Sequence, residues 1–381
     1  MNNVISKWIR LITGVLSLAL SPYVMSSVNC TLVGSSSAAI TATLPLTPAN
    51  ITAGPDLPDG TILYTGYFKP TIQPVVSCTP TTSGVFSFNK YLKILSAPTA
   101  LSGWSNSKFT HVYASGIAGV GIVIWKGSVG ITPTPYVVQS YGTTGVTGTT
   151  NTYNIDTSFS FGLIKIGNIA PGTINGANFP TVVSAITNST GVLNLPPDIT
   201  LATINFSGII NVVSKTCTTP DVNVSLGTYE IPNYFKRIGA TTPWVDASIT
   251  LTDCPRFYGY YGTSNEITIT NAGGQTVPAP TANTLLVSMQ PTTQALDATN
   301  GIMAVNSADS STAATGVGIQ VGWGEASGTP VPFNFSGMTY TPSNNGVSTV
   351  RIPMAARYIQ QSAQVTPGRA DGKAVFLINY Y

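Results

Sequence analysis

The sequence predicts an all-β protein built as two β-sandwich domains in tandem. Three observations lead there. Short apolar alternations of period two recur from residue 28 onward, separated by clusters of Gly, Pro, Asn and Thr. No long apolar repeat with a 3.6-residue period accompanies them. Four cysteines fall as two neighbouring pairs, Cys30 with Cys78 and Cys217 with Cys254.

Residues 1–27 carry the features of a secretory signal. Lys7 and Arg10 precede an apolar run over 11–20, Pro22 breaks it, and Ser26 and Ser27 supply small residues for cleavage. The apolar run is too short to span a bilayer. The remainder of the 381 residues is long enough for two domains and is expected to be exported. In an oxidising compartment the even cysteine count reads as disulfides, and pairing neighbours places Cys30–Cys78 in one half and Cys217–Cys254 in the other. Crossed pairings would tie together segments assigned to different domains. Charged residues are 8% of the chain and the net charge is +3, without a basic run, so nucleic acid is not an expected partner.

The first domain is expected over 28–208, with strands near 61–67, 85–95, 110–113, 119–125, 159–166 and 201–206. Residues 126–154, rich in Gly and Thr and containing Pro133 and Pro135, read as a long polar loop, functional or mobile. Residues 209–214 read as a linker. The second domain is expected over 215–381. Its alternations are Val222/Val224/Leu226, Ala247/Ile249/Leu251, Ile267/Ile269, Leu285/Val287/Met289, Val317/Ile319/Val321 and Val350/Ile352/Met354/Ala356/Tyr358. The chain closes on one more, with Ala374, Phe376, Ile378 and Tyr380 on one face and Lys373, Val375, Leu377 and Asn379 on the other.

This terminal strand resembles the carboxyl end of chaperone–usher pilins, in which a glycine stands fourteen residues from the end, here Gly368, and an aromatic is penultimate, here Tyr380. Leu226-Gly227 also ends its run as the first strands of pilins do. The resemblance implies an incomplete immunoglobulin-like domain lacking one strand. Gly368, Ala374, Phe376, Ile378 and Tyr380 would then border the groove and serve assembly. A strand from another chain would fill the groove, first from a periplasmic chaperone and, after the outer-membrane usher, from the next pilin subunit.

The first half is similar to fimbrial tip adhesins of the type 3 and long polar kinds in Leu57-Pro-Asp-Gly60, in residues 119–124, and in residues 163–167 ahead of Pro171. Cys30, a few residues into the exported chain, is similar to the mannose-binding type 1 adhesin, whose amino terminus helps form its pocket; here Val28-Asn29 occupies that place. These resemblances imply a tip adhesin at the cell surface that binds a host glycan or matrix protein. The alternative is a minor adaptor or initiator subunit that binds no host molecule. Aromatics that stack on weakly polar ligands are the candidate contacts. Trp104, in Ser102-Gly-Trp-Ser-Asn106, and Tyr141, in Gln139-Ser-Tyr-Gly142, read as loop-borne, with Asn106 beside the first, whereas Trp125 and Tyr113 read as core.

Catalytic chemistry finds little to work with. His111 is the single histidine, so a nucleophile has no second candidate base. Residues 105–108 and 87–90 fit S-x-x-K but lack the companion motifs of that chemistry. Residues 322–328 miss the dinucleotide glycine spacing by one, and Asp56 and Asp59 lack the spacing of a calcium loop. No enzyme activity, cofactor or metal is expected.

Overall fold

The computed structural model describes residues 28–34, 37–48, 50–189, 198–306 and 312–381; the expected signal, 1–27, lies outside the described residues. In the first half the strands are β1 (Val28–Val33), β2 (Ile40–Pro45), β3 (Asn50–Thr52), β4 (Ile62–Phe68), β5 (Val75–Pro80), β6 (Gly84–Ser96), β7 (Tyr113–Ala114), β8 (Val120–Lys126), β9 (Val129–Gly130), β10 (Tyr136–Gly145), β11 (Asn151–Asn154), β12 (Phe159–Lys165), β13 (Gly172–Asn175), β14 (Thr181–Asn188), β15 (Ile199–Ser207) and β16 (Ile209–Val213). In the second half they are β17 (Val245–Asp246), β18 (Ile249–Leu251), β19 (Ile267–Ile269), β20 (Gln275–Thr276), β21 (Leu285–Pro291), β22 (Ala295–Asp297), β23 (Ile302–Ala304), β24 (Val317–Trp323), β25 (Val331–Pro332), β26 (Met338–Tyr340), β27 (Val350–Ile352), β28 (Met354–Gln360) and β29 (Ala374–Tyr380).

The first domain is a sandwich of two main sheets. One has the order β10-β6-β14-β15-β2, and the other runs β19-β4-β12-β8-β7. Alternate residues of each point inward, so Leu63, Phe68, Leu92, Ile122, Phe161 and Ile204 share one apolar core. A second cluster forms around Cys30–Cys78, which bridges directly opposed residues of β1 and β5. The second domain packs β17-β28-β24-β23-β22 against β26-β21-β29 and β18-β27, over a core that includes Leu251, Val287, Phe333 and Ile352. Cys217–Cys254 closes its own loop there.

Four expectations need correction. Residues 126–154 are not a loop, because β10 lies along the edge of β6 from Tyr136 opposite Leu92 to Gly145 opposite Gly84. Its outer face meets water, which explains a polar composition in a regular strand. Residues 209–214 are not a free linker; Ile210 and Val212 are buried as β16 inserts between β13 and β3. The alternation at Ile267/Ile269 is a strand, but it joins the sheet of the first domain, parallel to β4. Finally, residues 220–228 take no place in any sheet.

The halves also meet around Thr52. Its N–H donates to Gly259 O at 2.9 Å, its hydroxyl donates to Arg256 O at 2.8 Å, and its carbonyl accepts from Asn283 Nδ2 at 3.0 Å. These bonds satisfy backbone groups that burial would otherwise leave unpaired.

Candidate functional site

The terminal strand has one filled and one open edge. Along one side β29 pairs antiparallel with β21, from Ala374 opposite Pro291 to Tyr380 opposite Leu285. Among the described residues no strand pairs with its other side. Ala374, Phe376 and Ile378 are half-buried against the second core, Tyr380 is buried, and Val375 and Leu377 point outward with 59% exposure each. The alternation read from the sequence is the alternation of the faces.

Residues 217–229 are held near β29 at both ends. At one end the Cys217 N–H donates to the Tyr380 hydroxyl at 3.1 Å, and burial raises the pKa of that hydroxyl. At the other end Tyr229 meets the edge of Tyr358, whose hydroxyl donates to Ala370 O at 3.0 Å, just ahead of β29. Between these pins Val222, Val224 and Leu226 are half-buried while Asn223, Ser225 and Gly227 are exposed. An extended segment with a strand-like side-chain pattern and no ladder is thus tied at its ends near a strand whose second edge no described strand pairs. Backbone groups without a strand partner beside half-covered apolar side chains are costly to leave so.

Gly368 lies outside this strip. A Cβ there would stand 2.4 Å from Thr312 O and 2.5 Å from the backbone of Ala313, so the residue permits close passage beneath 312–314. Its neighbour Arg369 exchanges backbone hydrogen bonds with Thr312 and Ala314. Gly368 thereby sets the approach to β29.

The structure does not gather Trp104, Asn106 and Tyr141 into one place. Trp104 is in a loop, half-buried on the outer face of the β4-β12-β8 sheet beside Phe109 and Trp125. The Asn106 Oδ1 accepts from the N–H groups of Lys108 at 3.0 Å and Phe109 at 2.7 Å, holding a turn. Tyr141 belongs to the other sheet and is strand-borne, stacked on Phe88 at 5.1 Å with Tyr153 edge-on. Trp125 and Tyr113 are buried, as read from the sequence.

One polar cluster gave no sequence signal, because its members are far apart in the chain. Lys126 Nζ donates to Asp156 Oδ2 and Ser158 Oγ, both at 2.8 Å, and the Tyr67 hydroxyl donates to Ser158 Oγ at 2.8 Å. Burial pushes the Asp156 carboxyl up, but the bonds from Lys126 and Ser158 outweigh it and leave the pKa below the ordinary carboxylate value. Asp156 also adds to the upward push that burial gives Tyr141. Behind the cluster Lys90 is 1% exposed on β6; burial first, then the charge of Lys126, brings its pKa down to about 8.

Comparison with known proteins places the chain. The family model described as Fimbrial protein matches residues 204–381. The chain is 32% identical over 190 residues to the Fimbrial subunit type 1 of Salmonella typhimurium, covering 49% of this chain and 85% of that one. Among solved structures it is similar to the CupB6 tip adhesin of Pseudomonas aeruginosa, at 16% identity and a TM-score of 0.35, covering 93% of this chain and 95% of that one. It is also similar to the receptor-binding domain of the adhesin MrkD1P of Klebsiella pneumoniae, at 18% identity and a TM-score of 0.30, covering 50% of this chain and all but 1% of that one. With an open-edged terminal strand in the matched half and that degree of identity over most of a fimbrial subunit, this chain belongs to the fimbrial protein family.

Proposed function

We propose that this protein is a two-domain tip adhesin of a chaperone–usher fimbria. Residues 28–214 form its receptor-binding domain and 215–381 its pilin domain. The observation that carries the reading is the edge of β29 that no described strand pairs, with the strand-free residues 219–229 held near it at both ends. A periplasmic chaperone fills that strip first, and after transfer at the usher an extended segment of the next subunit takes its place. Alternate apolar residues of the donor would lie among Val222, Val224, Leu226, Phe376 and Ile378, while its backbone pairs with β29. A whole domain stands before the pilin domain, where a shaft subunit has its short donor extension, and this supports the tip position.

The first domain carries the host contact, to a glycan or a matrix protein. Tyr141 with Asp156 and Lys126 offers an aromatic body beside charged hydrogen-bonding groups, and Trp104 with its neighbour Asn106 is the other candidate. Two measurements test the proposal. A donor-strand peptide with alternating apolar residues should raise the melting temperature of the second domain; held at a hundred times its Kd it adds about 2.7 kcal/mol. A glycan and matrix-protein array should give binding that Tyr141→Ala or Trp104→Ala removes. A second domain indifferent to every donor peptide would refute the groove, and an empty array would favour the adaptor role.

A further inference from the structure

Residues 258–276 leave the second core and cross onto the first domain. The Tyr261 N–H donates to Leu63 O at 3.0 Å, and the Lys69 N–H donates to Ile269 O at 3.0 Å. The Thr71 N–H donates to Asn271 Oδ1 at 2.7 Å. Between these points β19 runs parallel to β4, with Ile267 opposite Gly66, Thr268 opposite Tyr67 and Ile269 opposite Phe68. Ile267 and Ile269 are fully buried, Tyr261 nearly so, and all three belong to the core of the first domain with Leu63, Tyr64 and Phe161. Among the described residues no strand from 28–213 pairs with that edge of β4.

We infer that the first domain is one strand short in its own sequence and that residues 260–276 are donated to it from within the chain. Without them β4 would present an unpaired ladder beside exposed core side chains, the arrangement that elsewhere invites a strand from another molecule. Here the occupant is tethered, so the edge fills at high effective concentration and stays closed. The two halves then share a sheet as well as a covalent connection, and the first domain reaches its final packing only after the second half has been made. This inference is independent of the groove on β29.

The test uses the chain from residue 28 onward, folded and oxidised, with a specific protease site inserted between the exposed residues Lys215 and Thr216. Each disulfide closes within its own half, so cleavage leaves no covalent tie between the halves. The expected result is that the cleaved halves migrate together on gel filtration and separate only in denaturant. Ile267→Ser with Ile269→Ser should weaken that association about 1,000-fold or more, since two fully buried branched side chains are lost. In the uncut chain the same pair should reduce hydrogen-exchange protection of β4 about 10-fold or more, whereas Thr268→Ser, half-exposed, should not. Cleaved wild-type halves that part without denaturant would overturn the inference, whatever the folding of the double variant. So would unchanged β4 protection in a folded double variant.

Discussion

The Tyr380 N–H donates to the Asp56 carboxylate at 2.7 Å, and the Asp56 N–H donates back to Tyr380 O at 3.2 Å. The penultimate residue of the chain thus makes a two-bond clasp with a loop of the first domain. The same Tyr380 closes the open strip through its hydroxyl at Cys217. Beneath the clasp Gly54 is buried, and a Cβ there would stand 2.1 Å from Tyr380 O.

The clasp gives a graded pair of variants. Asp56→Ala leaves an exposed site and should cost about 1 kcal/mol. Gly54→Ala forces the end of β29 away from the first domain and should cost more, because backbone rather than a flexible side chain must move. Urea denaturation gives the order of the two effects, and exchange of the Tyr380 amide reports the clasp directly. A Gly54→Ala chain as stable as the parent would contradict this packing.

Replacement of Phe376 and Ile378 by Ser should abolish stabilisation by a donor peptide, since both line the half-covered face of β29. Val375→Ser with Leu377→Ser changes only the outward face and should leave the peptide effect in place. Melting curves with and without peptide separate the two pairs. Equal responses would mean that the strip is not the acceptor.

Loss of Cys217–Cys254 frees a loop with a sequence separation of 37. In the chain-entropy model that costs about 4 kcal/mol. The Cys217→Ser/Cys254→Ser variant should therefore show a lower melting temperature for the second domain, together with weaker protection of β29. The corresponding loss at Cys30–Cys78, with a separation of 48, should register in the first domain.

Lys90 predicts a pH dependence. Its folded-state pKa, about 8, lies below the unfolded lysine value, so between the two the unfolded chain binds more protons and stability rises with pH. Stability of the first domain should increase by roughly 2 kcal/mol from pH 8 to pH 10. Above pH 10 the trend should reverse, because burial holds Tyr64 and Tyr91 neutral in the fold while their unfolded counterparts ionise. Lys90→Met should be more stable at pH 7 and lack the rise. Denaturation midpoints at pH 7, 8, 9 and 10 for both chains check the sign.

Much of this organisation was legible in residues close together in the chain. The period-two alternation of Ala374, Phe376, Ile378 and Tyr380 determined which face of the terminal strand meets the core, because successive side chains of a strand point to opposite sides. Cysteine order determined the two disulfides, and turn residues marked most strand ends. Local pattern does not say which strand lies alongside. Ile267 and Ile269 announced a buried face, yet only the tertiary structure decided that β4, some two hundred residues earlier, buries it. Tyr141 read as a loop residue because β10 is an exposed edge whose composition is that of a loop. Asn106 read as a candidate contact beside Trp104, and only the folded chain shows that its oxygen also holds a turn through two backbone N–H groups. Faces follow from the geometry of a single chain segment, whereas partners follow from where distant segments can bury area together, and that competition is settled only in the folded molecule.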